Sequence, residues 1–232
     1  MIPRTFFPGF VMLFLASALS LASGPPPDAS ALLRNVRQQQ ASQQGTLNAQ
    51  LRDKGNLTPF QIIWEGGTIR YQFFNPDQSL ILKLGNKAAE LWERQGNQTA
   101  AITPSRFDQC VRGTSVTYED LAFRFLYWPH PTVVGEDNFR TRPAWIIQLR
   151  SPNKSSRYGT VRIWIDKESG TLLRMEGFDL QGRALKHFEV ISAQKVGRQW
   201  LLKEMRIEER DPSSGRVIDR TYLSVKPATK NL

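Results

Sequence analysis

The chain has 232 residues, 40% of them hydrophobic, enough for one domain with a sizeable core. Its single cysteine, Cys110, excludes an intramolecular disulfide. The formal charge of +10 would point to nucleic acid in an intracellular protein, but the first residues read as an export signal and exclude that partner.

Arg4 supplies a positive start, and Phe10–Leu21 is an apolar stretch interrupted only by small residues. Ser20-Leu21-Ala22 fits the small-x-small rule, which places cleavage after Ala22, with Ala18-Leu19-Ser20 as second choice. The stretch falls short of the ~20 residues that a membrane span needs, and Gly24-Pro25-Pro26-Pro27 follows at once. No cysteine stands after the small residues to take a lipid anchor. The expected organisation is a signal peptide over 1–22 and one domain over 23–232, soluble in the periplasm. Export also changes the meaning of the charge. Arg162, Arg174, Lys186, Lys203 and Arg206 are spread along strands, so they either wet an outer sheet face or draw the protein to anionic headgroups. Cys110 is expected as a small buried hydrophobe.

Asp28 or Ser30 can cap a helix over Ala31–Gln44, with Leu32, Leu33 and Val36 as its apolar stripe and Gly45 as its stop. Strands follow at 46–53, 59–65, 68–74, 79–84 and 87–94, joined by Gly66-Gly67, Asn75-Pro76-Asp77-Gln78 and Gly85-Asn86. From Gln95 to Arg142 the pattern is rich in loops. Within it Thr117, with Asp120 three residues on, caps a short helix expected over 122–127. Strands resume at 144–150 and run on through 160–167, 172–178, 185–193, 199–210 and 216–226, with short glycine-bearing joints between the last five. The sum is about eleven antiparallel strands and two helical segments.

Side chains alternate along a strand, so each run sorts by parity. Trp145, Ile147 and Leu149 share a face, as do Val161, Ile163 and Ile165, then Leu173 and Met175, Phe188 and Val190, and Leu201, Met205 and Ile207. Upstream, Ile62 and Trp64, then Ile69, Tyr71 and Phe73, then Leu80, Leu82 and Leu84 do the same. One apolar face this wide outruns the cover of two short helices. The sheet must therefore close into a barrel or curl partway around an apolar hollow. The expected hollow is lined by Trp145, Ile147, Leu149, Val161, Ile163, Ile165, Met175 and Phe188. Phe125, Leu126 and Trp128 give the short helical insertion a heavy apolar load, and they are expected to form a lid over it.

Chemistry-bearing patterns are scarce. His130 lies between prolines and His187 on the polar side of a strand, and neither has a cysteine or acid at metal-ligand spacing. There is no Gly-x-Ser-x-Gly elbow, phosphate loop or GxGxxG. Glu119-Asp120 is a carboxylate pair, but neighbours on a helix point apart, and acids in a first turn suit the helix dipole. No enzyme, cofactor or metal is expected.

The exported helix, the long sheet and the helical insertion resemble the LolA-like outer-membrane lipoprotein-sorting family. The motifs that carry the resemblance are Val116-Thr117-Tyr118-Glu119-Asp120-Leu121, Tyr158–Lys167, Leu173–Asp179, Gly182 and Leu185-Lys186. They fall within a match over roughly Gly113 to Val225. The resemblance implies an α+β, mainly β fold, a half-open barrel whose helices cover the concave face. It also implies a monomeric periplasmic carrier for lipoprotein acyl chains or lipid, served by an inner-membrane transporter and an outer-membrane acceptor. The alternative is an envelope module that senses lipid or binds a regulator. Cleavage after Ala22 predicts a mature N-terminus at Ser23 in a soluble periplasmic fraction; N-terminal sequencing that finds Met1 on a membrane-bound species contradicts it.

Overall fold

The computed structural model describes residues 25–196 and 199–227. The expected signal peptide lies outside the described residues. Helix α1 (Ala29–Ser42) leads into β1 (Gly45–Asp53), β2 (Asn56–Glu65), β3 (Thr68–Phe73), β4 (Gln78–Leu84), β5 (Ala89–Gln95) and β6 (Gln98–Ala101). An insertion follows, with the short helix α2 (Tyr118–Ala122) and a 3-10 turn at Arg124–Tyr127. Then come β7 (Thr132–Phe139), β8 (Arg142–Arg150), β9 (Thr160–Asp166), β10 (Leu172–Phe178), β11 (Ala184–Val196), β12 (Gln199–Arg210) and β13 (Val217–Pro227).

All thirteen strands form one antiparallel sheet, ordered β6-β5-β4-β3-β2-β1-β13-β12-β11-β10-β9-β8-β7. The sequence pattern yields about eleven strands, and the two it misses are β6 and β7. Both are edge strands. Every residue of β6 is exposed, and β7 has a register shift at Val133/Gly135. An edge that buries little carries little alternation for a sequence to show. The first strand closes against the last near the middle of the sheet, with Ala49 opposite Val225 and Leu51 opposite Leu223.

Local chemistry explains the joints. Gly66 and Gly67 both have positive φ, 54° and 80°, as a two-residue hairpin requires. Asp166 ends β9 and organises the turn after it, accepting hydrogen bonds from the Glu168 and Ser169 amides at 3.0 and 2.7 Å. Arg142 grips the same carboxylate at 2.6 and 2.8 Å, and this guanidinium holds its pKa down at about 2. Asp28 caps α1 by accepting from the Ser30 amide at 2.9 Å. The helix begins at Ala29 and ends at Ser42; Gly45, at φ 122°, opens β1 instead of stopping the helix.

The insertion departs from the expected single helix. Thr117 and Asp120 do form a reciprocal capping box. The helix they start stops at Ala122, because Phe123 adopts the left-handed conformation (φ 48°). The chain then continues as the 3-10 turn, whose Phe125, Leu126 and Trp128 join one buried cluster, and of these only Phe125 also reaches the cavity beside Phe123.

Two apolar clusters fill the concave side. One gathers β1–β5 with Ile102, Phe107, Val111, Val116 and Ala122 of the insertion. The other gathers β8–β10 with Leu33 and Val36 of α1 and with Phe125, Leu126 and Trp128. Tyr158, fully buried, lies flat on Gly177 of β10: a Cβ there would sit 2.6 Å from Tyr158 Cδ1. Gly177→Ala should therefore cost about 1–3 kcal/mol by overpacking and lower the melting temperature by several degrees, whereas Gly135→Ala, whose nearest neighbour is Ile146 Cδ1 at 3.9 Å, should cost less. Equal melting temperatures for Gly177→Ala and wild type would contradict the packing.

Candidate ligand-binding hollow

A cavity of about 240 Å³ remains between the two clusters. Phe60, Ile62, Tyr71 and Phe73 wall it on the β2–β3 side, and Met175, Phe188, Met205 and Ile207 on the β10–β12 side. Val111, Val116, Leu121, Phe123 and Phe125 of the insertion roof it. At one end Gln40 and Gln43, from α1 and the residues after it, stand with half-buried Trp64, Leu172 and Leu202. At the other end the lining includes the Asp120 carboxylate. Tyr71 is buried, and burial alone raises its hydroxyl pKa.

The Asp120 end is closed by a buried polar network. Lys186, on β11, has no side-chain exposure. Its ammonium contacts the Ser115 carbonyl and the Glu209 carboxylate and lies 3.5 Å from Asp120 Oδ2. Asp120 also accepts from the Tyr158 hydroxyl at 2.6 Å and the Thr117 amide at 2.8 Å. Arg157 pairs with Glu209 at 2.6 Å. The Ser115 amide donates to Thr221 Oγ1 at 3.1 Å and to Asp53 Oδ2 at 3.3 Å. A buried ion is costly unless it is paired and hydrogen-bonded, and each of these is. The network fastens the insertion to β1, β11, β12 and β13, so the roof is fixed at this end. Glu119, beside it, is less well served. Its Oε2 accepts from the Arg157 amide at 3.3 Å, while Oε1 has no partner among the described residues. Burial raises its pKa, opposed by hydrogen bonds from Ser156 and Arg157.

Of the residues expected to line the hollow, Met175 and Phe188 do so from the sheet and Phe125 from the roof. Ile147, Leu149, Val161, Ile163 and Ile165 do not. They are buried in the second cluster with Leu33 and Val36 of α1 and with Leu126 and Trp128. Parity assigns the face correctly, but the cover is uneven: α1 seals β8 and β9 and leaves β2, β3 and β10–β12 to form the cavity. Trp145 belongs to neither cluster; it is half-buried, with the Lys167 ammonium 3.7 Å from its ring centroid. Leu126 and Trp128 are core residues beneath α1, and among the three expected lid residues only Phe125 touches the hollow.

Three further expectations change. Lys186 is buried on the inner face instead of wetting an outer one. Cys110 is exposed, not buried. Leu202, not Leu201, lines the cavity, because opposed register shifts near Ser192 and Glu204 break the alternation of β11 and β12. The parity rows at Ile62 and Ile69–Phe73 already carried the missing half of the wall. What sequence could not supply was which rows α1 would cover.

A family model described as an uncharacterized protein matches residues 83–227. The chain belongs to that family, and its fold is LolA-like. An outer membrane lipoprotein-sorting protein domain from Vibrio parahaemolyticus is similar with a TM-score of 0.68 at 15% identity, over 88% of this chain and 93% of that one. A LolA superfamily protein from Nitrosomonas europaea gives 0.63 at 17% identity, over 88% and 94%. A DUF1329 family protein from Desulfovibrio piger gives 0.60 at 15% identity, over 88% and 93%. No curated protein matches the sequence. In this LolA-like half-barrel the family motifs have a structural meaning: Thr117, Glu119, Asp120, Tyr158 and Lys186 meet at the closed end, and Asp166 builds the turn after β9.

Two measurements test the closed end. Lys186→Met leaves the Asp120 carboxylate buried without its cation, while Glu209 keeps Arg157, and should cost about 3–5 kcal/mol in denaturant unfolding; a loss below 1 kcal/mol would contradict the network. Glu119 has a folded pKa raised above the unfolded 4.5, so the stability it contributes is whole below that pH and is lost as pH rises through the folded value. Glu119→Gln should therefore gain on wild type between pH 4 and pH 8. A constant difference across that range would contradict the raised pKa.

Proposed function

We propose that this chain is a periplasmic carrier that takes the apolar part of a lipid or lipoprotein into the hollow and ferries it towards the outer membrane. The observation that carries the reading is a cavity walled by carbon along its length, edged by glutamines at one end and sealed by a charge network at the other. A pocket of that kind suits an apolar chain entering from the Gln40–Gln43 end. The likeness in fold to a lipoprotein-sorting domain supports the same reading. An inner-membrane transporter would load such a carrier and an outer-membrane acceptor would unload it.

The size of the hollow suits a carrier. Burying about eight methylenes at about 0.8 kcal/mol each contributes roughly 6 kcal/mol, which corresponds to a dissociation constant of tens of micromolar, on the order of what reversible loading needs. Phe125 is one of the roof residues that would meet cargo, with Val111, Val116, Leu121 and Phe123. Because the charge network pins the insertion, the entrance is assigned to the α1 end, where Arg37 donates to the Leu126 carbonyl at 2.6 Å and Gln39 to the Ser169 carbonyl at 3.0 Å.

Met205→Trp places an indole in the cavity. It should weaken binding of an environment-sensitive apolar dye at least about tenfold, a change of about 1.4 kcal/mol, with the fold retained by circular dichroism. Undiminished dye binding in the folded variant would mean that the hollow is not the binding site.

A further inference from the structure

The hollow carries one feature that a plain hydrocarbon does not use. Tyr71 lines the cavity, and its hydroxyl makes no hydrogen bond to any described residue; burial is the sole influence on its pKa. Facing the cavity without a protein partner, this hydroxyl can donate to a ligand acceptor placed against it. Gln40 adds a second such group at the entrance: its Oε1 is buried and has no partner among the described residues, so it can receive a donor.

Depth separates the two. Tyr71 pairs with Ile62 and Leu80, while Ile69, two residues nearer the entrance, pairs with Trp64. Two residues of strand span about 7 Å. A ligand that satisfies both groups therefore has a donor in its head at the entrance and an acceptor further in. Beyond Tyr71 the wall is Phe60, Phe73 and Ile207, which suits a hydrocarbon tail. Volume limits how many tails fit. Pockets for drug-sized ligands run to about 300–1,000 Å³, and an apolar cavity of about 150 Å³ takes one benzene. A cavity of about 240 Å³ has room for one chain.

We infer that the hollow selects a single-chain acyl ester with a hydroxyl-bearing head: the head hydroxyl donates to Gln40, the ester carbonyl accepts from the Tyr71 hydroxyl, and the tail runs towards the closed end. Monoacylglycerols and lysophospholipids have this chemistry. The inference rests on the reading of the hollow as a ligand site and narrows it from apolar cargo in general to one chain with one carbonyl. A site built to hydrogen-bond its ligand discriminates against an analogue that lacks the partner group.

The test is displacement of the apolar dye by three probes: monooctanoylglycerol, the corresponding octyl glycerol ether, which lacks only the carbonyl, and dioctanoylglycerol. Wild type should prefer the monoester over the ether by about tenfold, and Tyr71→Phe should erase the preference by bringing monoester binding down to that of the ether. The variant should keep its melting temperature, because the lost hydroxyl has no protein partner. Equal affinity for ester and ether in wild type, or a preference that survives in Tyr71→Phe, overturns the inference and leaves the hollow as a general apolar site. Displacement by the diester as strong as by the monoester overturns the single-chain limit. Failure of the dye and all three probes to bind brings down the hollow reading itself, and the inference with it.

Discussion

The rest of the structure depends on one ammonium group. Lys186 projects from the inner face of the sheet, opposite Glu209 and two residues before Phe188, and no solvent reaches it. Such a charge is tolerable only because Asp120, Glu209 and the Ser115 carbonyl converge on it. Two of those three partners belong to the insertion. The lysine therefore decides where the insertion lies, and the insertion decides how much of the concave face is roofed. Breaking the pair from either side leaves an uncompensated charge in a low-dielectric interior, so the roof cannot lift at this end without a large penalty.

This anchoring gives the hollow a direction. One end is charged, satisfied and closed. The other is bordered by glutamines and by half-buried apolar side chains, under a helix held by three buried residues and two long-range hydrogen bonds. An apolar chain gains by entering from the second end and meets fixed charge at the first. On the convex side several charges pair with one another: Arg206 with Glu189 and Glu208, Arg220 with Glu208, and Arg174 with Glu176. That face reads as a solvated ion-pair lattice, in line with the spread of basic residues along the strands.

Much of this was legible in the sequence, and the limits have physical causes. Strict alternation in 68–73 identifies both strand and face, because every second residue of that strand is buried and the others are only half-buried. The capping box at Thr117 and Asp120 is local, so four residues suffice to read it. The edge strands β6 and β7 bury too little to leave a pattern. The left-handed turn at Phe123 is invisible to helical periodicity, and it sends Leu126 and Trp128 away from the hollow. The division of the apolar face between cavity and core was beyond reach, because it depends on where α1 docks, more than a hundred residues from Ile147 and Ile163 in sequence. Lys186 was misread for a related reason: its partners Asp120 and Glu209 are distant in the chain, and a lone lysine on a strand gives no sign of them.

The central claim is that the hollow between the two clusters holds an apolar chain. Native mass spectrometry of the protein isolated from its own envelope tests this most directly. The account predicts one lipid-sized mass riding with wild-type protein at a stoichiometry of one, and its loss when Trp replaces Met205. A bare protein mass under conditions that preserve known lipid complexes, or an adduct that persists with the cavity filled, would contradict it.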